Sequence, residues 1–389
     1  MIDSFIKNDY VKCNGCSSCS ASCPVGCISM EKNDEGFLYP HIDMEKCIKC
    51  NKCERACPVL NKKAGESKVE IKSYAVINNE RDERVNSSSG GVFTLLAKEI
   101  ISRGGVVFGA AFDENMTVYH RFIEKEEDIA LLRGSKYTQS RIGDSYKKAE
   151  EFLKEGRIVL FTGTPCQIAG LKSYLSRDYE NLFCQDIICH GVPSPSVWEA
   201  YVEYREKKSG KKPQSISFRN KKYGWKTSSM RFQYENEKEY TEMMSVDLYM
   251  RLFLANLSLR ESCYNCSFKS VERDSDITLA DFWGIENVAP EMHDDMGTSL
   301  VIVQSEKGKE IFEKIKEKTT SKEVDTQKAV SFNSAMTESV PRPEKRDEFF
   351  NHFIKNGINK DTEKFVPLDL LRKIKRKLLA EKHRKELSR

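Results

Sequence analysis

Cys13-Asn14-Gly15-Cys16-Ser17-Ser18-Cys19-Ser20-Ala21-Ser22-Cys23-Pro24 is followed, 34 residues later, by Cys47-Ile48-Lys49-Cys50-Asn51-Lys52-Cys53-Glu54-Arg55-Ala56-Cys57-Pro58. Each run reads Cys-x-x-Cys-x-x-Cys-x-x-x-Cys-Pro. Three thiolates at that spacing share one tight loop and can hold three irons of a 4Fe-4S cube. The fourth, three residues on, points away and ligates the other cube. The reading is therefore one cluster at Cys13, Cys16, Cys19 and Cys57, and a second at Cys47, Cys50, Cys53 and Cys23. Paired zinc sites fit poorly, because zinc rarely takes two triplets plus a distant fourth thiol. Disulfides would require an exported chain.

The doubled run resembles bacterial two-cluster ferredoxins, and it occupies only the start of a chain of 389 residues. A composition of 39% hydrophobic and 31% charged residues suits a folded protein of two or three domains. The opening Met-Ile-Asp-Ser-Phe-Ile-Lys lacks the charged head and apolar block of a signal peptide. No run approaches the length of a membrane span. With 14 cysteines, the expectation is a reducing, cytoplasmic setting in which thiols bind metal. Net charge is only +4, and nine Lys/Arg against two Glu fall within 370–389. The rest of the chain is slightly acidic, which argues against a nucleic-acid-binding body. Leu368, Leu371, Ile374 and Leu378 share one helical face in this basic segment. It could dock a partner or a membrane surface, or simply be solvated.

Between residues 72 and 320 strands and helices alternate. Tyr74–Ile77 reads as a strand, Val92–Ile101 as a helix, and 104–110 and 117–122 as further strands. Helices are expected over about 126–133 and 143–155. Arg157–Phe161 is an unbroken apolar run and reads as a buried strand. It is followed by a helix to about Leu175, a strand at Leu182–Ile188 and a helix starting at Pro193 or Pro195. The alternating Ser215–Arg219 and Met230–Tyr234 read as antiparallel strands around Gly224-Trp225. A helix from Asp247, a strand at Ile277–Ala280 and a β-α unit from Thr298 to Lys316 complete the pattern. It predicts an α/β body with a mainly parallel or mixed sheet.

Six cysteines remain outside the repeat. Cys27 and mid-strand Cys184 read as small buried residues. Cys166 sits at a strand-to-helix turn, where a helix N-terminus favours a thiolate. Cys189 ends the next strand, and Cys263 and Cys266 form a Cys-x-x-Cys. Strand ends of such a body converge on one rim. These four could hold a third 4Fe-4S cluster or a structural zinc. The turn Ser88-Ser89-Gly90-Gly91 opens a helix and either cradles a nucleotide phosphate or only caps the helix. No GxGxxG or Walker A motif is present. Gly134-Ser135-Lys136-Tyr137 offers a cation and a phenol, and His190 a proton donor, a ligand or only a hydrogen-bonded turn residue.

Taken in order, Ser88-Ser89-Gly90-Gly91-Val92-Phe93-Thr94, Gly134-Ser135-Lys136-Tyr137, Gly163-Thr164-Pro165-Cys166-Gln167, Cys189-His190-Gly191-Val192-Pro193-Ser194-Pro195, Phe218-Arg219 with Gly224-Trp225, Cys263-Tyr264-Asn265-Cys266 and Asp281-Phe282-Trp283-Gly284 resemble the beta subunit of coenzyme F420 hydrogenases and dehydrogenases. The resemblance implies an α/β flavoprotein with FAD. It also implies that Cys166, Cys189, Cys263 and Cys266 hold a third 4Fe-4S cluster rather than zinc. FAD contacts are then expected at Ser88, Ser89, Gly90, Gly91, Gly134, Ser135, Lys136 and Thr164, and catalytic groups at Lys136, Tyr137 and His190. The resulting organisation is an α+β ferredoxin-like module with two 4Fe-4S clusters over 1–62, a linker over 63–71, and an α/β flavoprotein body with a mixed sheet. The body has an N-terminal part at 72–155 and a C-terminal part at 156–335, and a basic helical tail runs over 336–389. The implied function is an iron–sulfur flavoprotein oxidoreductase exchanging electrons with coenzyme F420 or another conjugated small-molecule acceptor. The alternatives are a non-catalytic electron-transfer subunit feeding a redox partner protein, and clusters that only support structure.

Overall fold

The computed structural model describes residues 10–61, 70–235 and 238–369, with Ile374 and Leu378 beyond them. The N-terminal repeat encloses an antiparallel pair, β1 (Ile28–Lys32) and β2 (Leu38–Ile42). A mixed sheet of eight strands forms the body: β3 (Lys72–Asn78), β4 (Val106–Phe112), β5 (Val118–Ile123), β6 (Val159–Thr162), β7 (Leu182–Ile187), β11 (Ile277–Asp281), β12 (Ser299–Val303) and β13 (Thr319–Val324), in the order β13-β3-β12-β11-β7-β6-β4-β5. The parallel pairs are central: β4 with β6, β6 with β7, and β7 with β11. Antiparallel strands flank them on both sides. Strands from 72–155 and from 156–335 interleave in this one sheet, with β3 held between β12 and β13.

Side-chain alternation explains the layering. On β3, Tyr74 and Val76 face helices Val92–Ser102 and Glu306–Lys316, whereas Ala75 faces the opposite side. Val301 and Val303 of β12 join the first layer, and Leu300 and Ile302 the second. Helices Ser145–Lys154 and Pro165–Leu175 cover the other face of β4, β6 and β7. Apolar layers on both faces are what an unbroken run such as Val159-Leu160-Phe161 requires. Helix Pro165–Leu175 starts sharply because Pro165 fits its first position and the Gln167 side chain accepts the Thr164 N–H at 3.0 Å.

A second antiparallel sheet, β8 (Pro213–Asn220), β9 (Ser229–Tyr234) and β10 (Glu239–Met243), packs with helices Pro195–Ser209 and Leu248–Leu254 in an aromatic core around Trp198, Phe218 and Phe232.

Three features differ from the sequence reading. β10 and β13 escape it because charged and polar residues interrupt any apolar pattern, and β13 is an edge strand with half its residues exposed. Part of the tail expected over 336–389 packs on the body. Helix Arg346–Asn356 buries Phe349, Phe350 and Phe353 in the aromatic core, and Phe365 and Val366 follow it there. Most of the expected amphipathic tail and most of the linker lie outside the described residues. Among the described residues, no helix is long and apolar enough to cross a membrane.

Candidate functional site

The two cysteine runs repeat in backbone conformation as well as in spacing. Gly15 and Lys49 take left-handed φ angles of 67° and 51°, and Ser17 and Asn51 take 64° and 58°. Both pairs are one repeat length apart, and each precedes a short helix, Ser18–Ala21 and Lys52–Arg55. A lysine and an asparagine accept this conformation at a cost of about 1 kcal/mol each, because the loop must curl its thiols inward.

The grouping of thiols crosses between the runs. Burial pushes the Cys16 thiol well up, and the neighbouring Cys19, Cys13 and Cys57 push it further. Cys57, from the second run, thus sits with the first triplet. Burial likewise raises Cys53, with Cys50 and with Cys23 of the first run acting on it. Cys23, Cys47, Cys50 and Cys53 line one small cavity. Cys27 lines it too: its Sγ lies 3.4 Å from that of Cys23, and its N–H donates to that sulfur at 3.3 Å. It is buried as expected, in the small core of the module and in contact with Cys23.

Cys166 occupies the second position of helix Pro165–Leu175, Cys189 lies just beyond β7, and Cys263 and Cys266 come from the turn Glu261–Asn265 and its exit. All four line a single cavity, together with Asn14 of the first cysteine loop. Burial is the largest cause holding Cys166 and Cys189 above the usual thiol value, and it pushes Cys263 to about 12. Cys266 acts on all three. Burial and mutual repulsion both favour the neutral thiols here, so ionising them calls for a positive centre among them. Among the described residues, no three His, Cys, Asp or Glu side chains converge as ligands of a single metal ion. The donor set of four thiols around one cavity fits a 4Fe-4S cube in chemistry. Lys269 braces the wall by donating to the carbonyls of Cys189 at 2.6 Å and Ala335 at 2.7 Å.

Cys166 and Cys189 also line a much larger cavity of about 650 Å3. It opens beyond the C-terminal ends of β6, β7 and β11, where an α/β sheet binds its ligands. Ser88, Ser89, Gly91, Gly134, Ser135, Lys136, Tyr137, Thr164 and His190 all line it. Gly90 does not. Its N–H donates to Ser299 Oγ at 2.9 Å, and a Cβ added there would lie 2.4 Å from the Val76 carbonyl oxygen. Glycine is needed at that position for close strand packing, so its amide is not free for a phosphate. Gly91, at φ 85°, caps helix Val92–Ser102 and brings the helix N-terminus to the cavity. Ser88 Oγ accepts the N–H of Ser135 at 2.8 Å, which ties the two expected cofactor loops together.

The three expected catalytic groups are more constrained than the sequence suggested. Lys136 donates to the carbonyls of Leu131, Leu132 and Arg133 at 3.2, 2.9 and 3.1 Å, which occupies its three N–H bonds at the end of a helical turn. Burial and the adjacent Arg133 bring its pKa down to about 7. Its expected part as a fixed cation facing a ligand is corrected accordingly. Tyr137 packs edge-on against Phe218 and lies 4.8 Å from Phe253, and burial keeps its phenol protonated. His190 Nε2 donates to Asn256 Oδ1 at 2.6 Å, and burial depresses its pKa, so the ring is neutral near pH 7.

Several cavity residues were not singled out as site residues. His120, on β5, bonds the Thr162 carbonyl at 3.0 Å and Ser140 Oγ at 2.9 Å; burial pushes it down to about 4. Its place among alternating strand residues was the only sequence hint. Arg219 pairs with Asp281 at 2.8 Å and lies over the stacked Trp225 and Trp283 rings. Those four belong to the family motifs but had no assigned role.

A family model for the C terminus of the beta subunit of coenzyme F420 hydrogenase/dehydrogenase matches residues 156–329, and a 4Fe-4S dicluster domain matches residues 12–61. A comparison with the curated proteins found no match. Among solved structures, a chain of the F420-reducing [NiFe] hydrogenase complex from Methanosarcina barkeri aligns at 20% identity and a TM-score of 0.46, over 65% of this chain and 81% of that one. Residues 156–329 are thus similar to the C terminus of coenzyme F420 hydrogenase/dehydrogenase beta subunits, and a 4Fe-4S dicluster domain precedes them.

Proposed function

We propose that the chain is an iron–sulfur flavoprotein oxidoreductase in which three cysteine sites form a relay to an FAD in the large cavity. The observation that carries this reading is the sharing of wall residues: Cys166 and Cys189 line both the four-cysteine pocket and the 650 Å3 cavity. The cysteine sites also act on one another electrostatically. Cys53 acts on the Cys19 thiol, linking the second site to the first. Cys16 acts on the Cys166 thiol, linking the first to the third.

When bound, clusters supply single electrons and a flavin pairs them for hydride transfer. The protein's own residues do the remaining work. The N-terminus of helix Val92–Ser102 and the serines of 87–89 suit the phosphates of a dinucleotide. Neutral His190 and His120 present no charge to a ring beside the third site. The loop before Lys136 and residues of the sheet β8–β10 form part of the cavity wall. Coenzyme F420 or another conjugated molecule is the proposed acceptor, given the family to which residues 156–329 are similar.

Anaerobic purification tests the reading. About twelve irons and one flavin per chain are expected from three 4Fe-4S sites and one cavity. A chain that binds no FAD, or that carries only the iron of two cubes, overturns it. The second reading, a subunit that feeds a partner enzyme holding the substrate site, is separated by turnover. An isolated chain that oxidises a reduced donor without passing electrons to any small acceptor supports this second reading.

A further inference from the structure

Arg260 stands between the first and third cysteine sites. Its side chain is fully buried, at 0% exposure. Nε donates to the Cys13 carbonyl at 2.7 Å, one Nη to the Leu38 carbonyl at 3.0 Å, and the other Nη to Gln139 Oε1 at 3.2 Å. The guanidinium lies 4.0 Å from the Tyr39 ring centre and 5.4 Å from that of Phe37. On the other side, its carbonyl accepts the N–H of Cys263 at 2.9 Å. One residue thus grips the first cysteine loop with its side chain and the third site with its backbone.

Its partners are all neutral. Four other arginines with buried side chains pair with carboxylates: Arg84 with Asp294, Arg219 with Asp281, Arg273 with Asp186 and Arg346 with Glu35. Among the described residues, Arg260 makes no such pair. A buried guanidinium needs a counter-charge, because transfer from water costs several kcal/mol. Of the groups near it that can become anionic, the Tyr39 phenol is kept protonated by burial, which leaves Cys13, whose carbonyl it binds, and Cys263, whose thiol it acts on. A four-thiolate 4Fe-4S cluster carries net negative charge, and reduction adds one electron to it. A fixed cation alongside stabilises the reduced state more than the oxidised one and raises the potential.

Resting on the three-cluster reading above, we infer that Arg260 is the buried counter-charge of the relay and holds the potential of the cluster at Cys13, Cys16, Cys19 and Cys57 above the value its ligands alone would give. Arg260 is a positioning and tuning residue. It takes no electron itself; each electron that leaves one cluster arrives at the next, with no bond formed or broken.

The test is a redox titration of the full chain, purified anaerobically, followed by electron paramagnetic resonance, with iron and flavin counted first. In Arg260→Met, one cluster signal is expected to move to more negative potential, by at least about 59 mV, which is tenfold in a one-electron equilibrium. The signal assigned to Cys47, Cys50, Cys53 and Cys23 should stay within a third of that shift. Arg260→Lys should restore most of the potential, because it keeps the charge. An Arg260→Met protein with its full iron and unchanged potentials overturns the inference, as does an equal shift in all three clusters. If Arg260→Met fails to load iron, an Arg260→Lys protein that loads it at near wild-type potential still supports a charge role. Failure of both variants to load iron identifies a purely structural residue and overturns the inference. A wild-type chain lacking one of the cubes would instead sink the three-cluster reading.

Discussion

The N-terminal repeat and the pocket of Cys166, Cys189, Cys263 and Cys266 both gather buried thiols, but they draw them from different distances along the chain. In the repeat, each triplet comes from one loop, and only Cys23 and Cys57 cross over. In the pocket, the four come from a helix start, a strand end and a distant turn. The local site is fixed by loop geometry. The assembled site exists only when β6, β7 and the segment after helix Leu248–Leu254 are correctly packed. Damage to the body should therefore empty the assembled site while the repeat still loads.

Cysteine substitution should break this comparison most severely. Cys263→Ser should remove about four irons per chain and leave the signals of the repeat intact, as measured by iron analysis and electron paramagnetic resonance. Loss of all the iron would show that the two regions do not load independently. Cys57→Ser should damage the cluster of the first triplet, although Cys57 lies in the second run. If it damages the second triplet's cluster instead, the crossing is wrong.

The clamp between the two regions should have the next largest effect. Arg346 donates through both Nη atoms to Glu35 at 2.7 Å and holds the module's β1–β2 turn against the core. Because Glu35 is partly exposed, Glu35→Gln should cost about 2 kcal/mol, seen as a lower melting temperature with the iron content kept. Gly90→Ala should cost about 1–3 kcal/mol by overpacking against Val76. If its N–H is committed to Ser299, as the structure has it, flavin affinity should change no more than stability does.

The smallest effect concerns Lys136. Its pKa is about 7 in the folded chain against an ordinary 10.5. Between those values the unfolded chain holds the extra proton, so stability should rise with pH from about 7 upward and lie flat below it. Lys136→Met should flatten this part of the melting temperature profile. An unchanged profile would show that Lys136 titrates normally.

How much was legible in the sequence follows from the same contrast. Loop spacing in the repeat is local, so the grouping of its thiols, with Cys23 and Cys57 exchanged between the runs, could be read directly. A buried parallel strand can carry an unbroken apolar run, and β6 was found for that reason. The polar edge strand β13 and the packed helix Arg346–Asn356 carried no such pattern. At the cavity, the loops containing Ser88, Ser135, Thr164 and His190 were recognised, but not the bonds that occupy Gly90 and Lys136. Hydrogen bonding to Ser299, or to three consecutive carbonyls, depends on where distant backbone lies.

By itself the sequence determined which thiols form the two local triplets, because one short loop is enough to set the geometry of each. It also determined the α/β alternation, because apolar periodicity is a local property. Only the tertiary structure decided that Cys16 approaches Cys166, that Cys166 and Cys189 border a large cavity, and that Arg260 is buried between two cysteine sites with neutral partners. Those are contacts between segments up to about 250 residues apart, and packing, rather than local preference, brings them together.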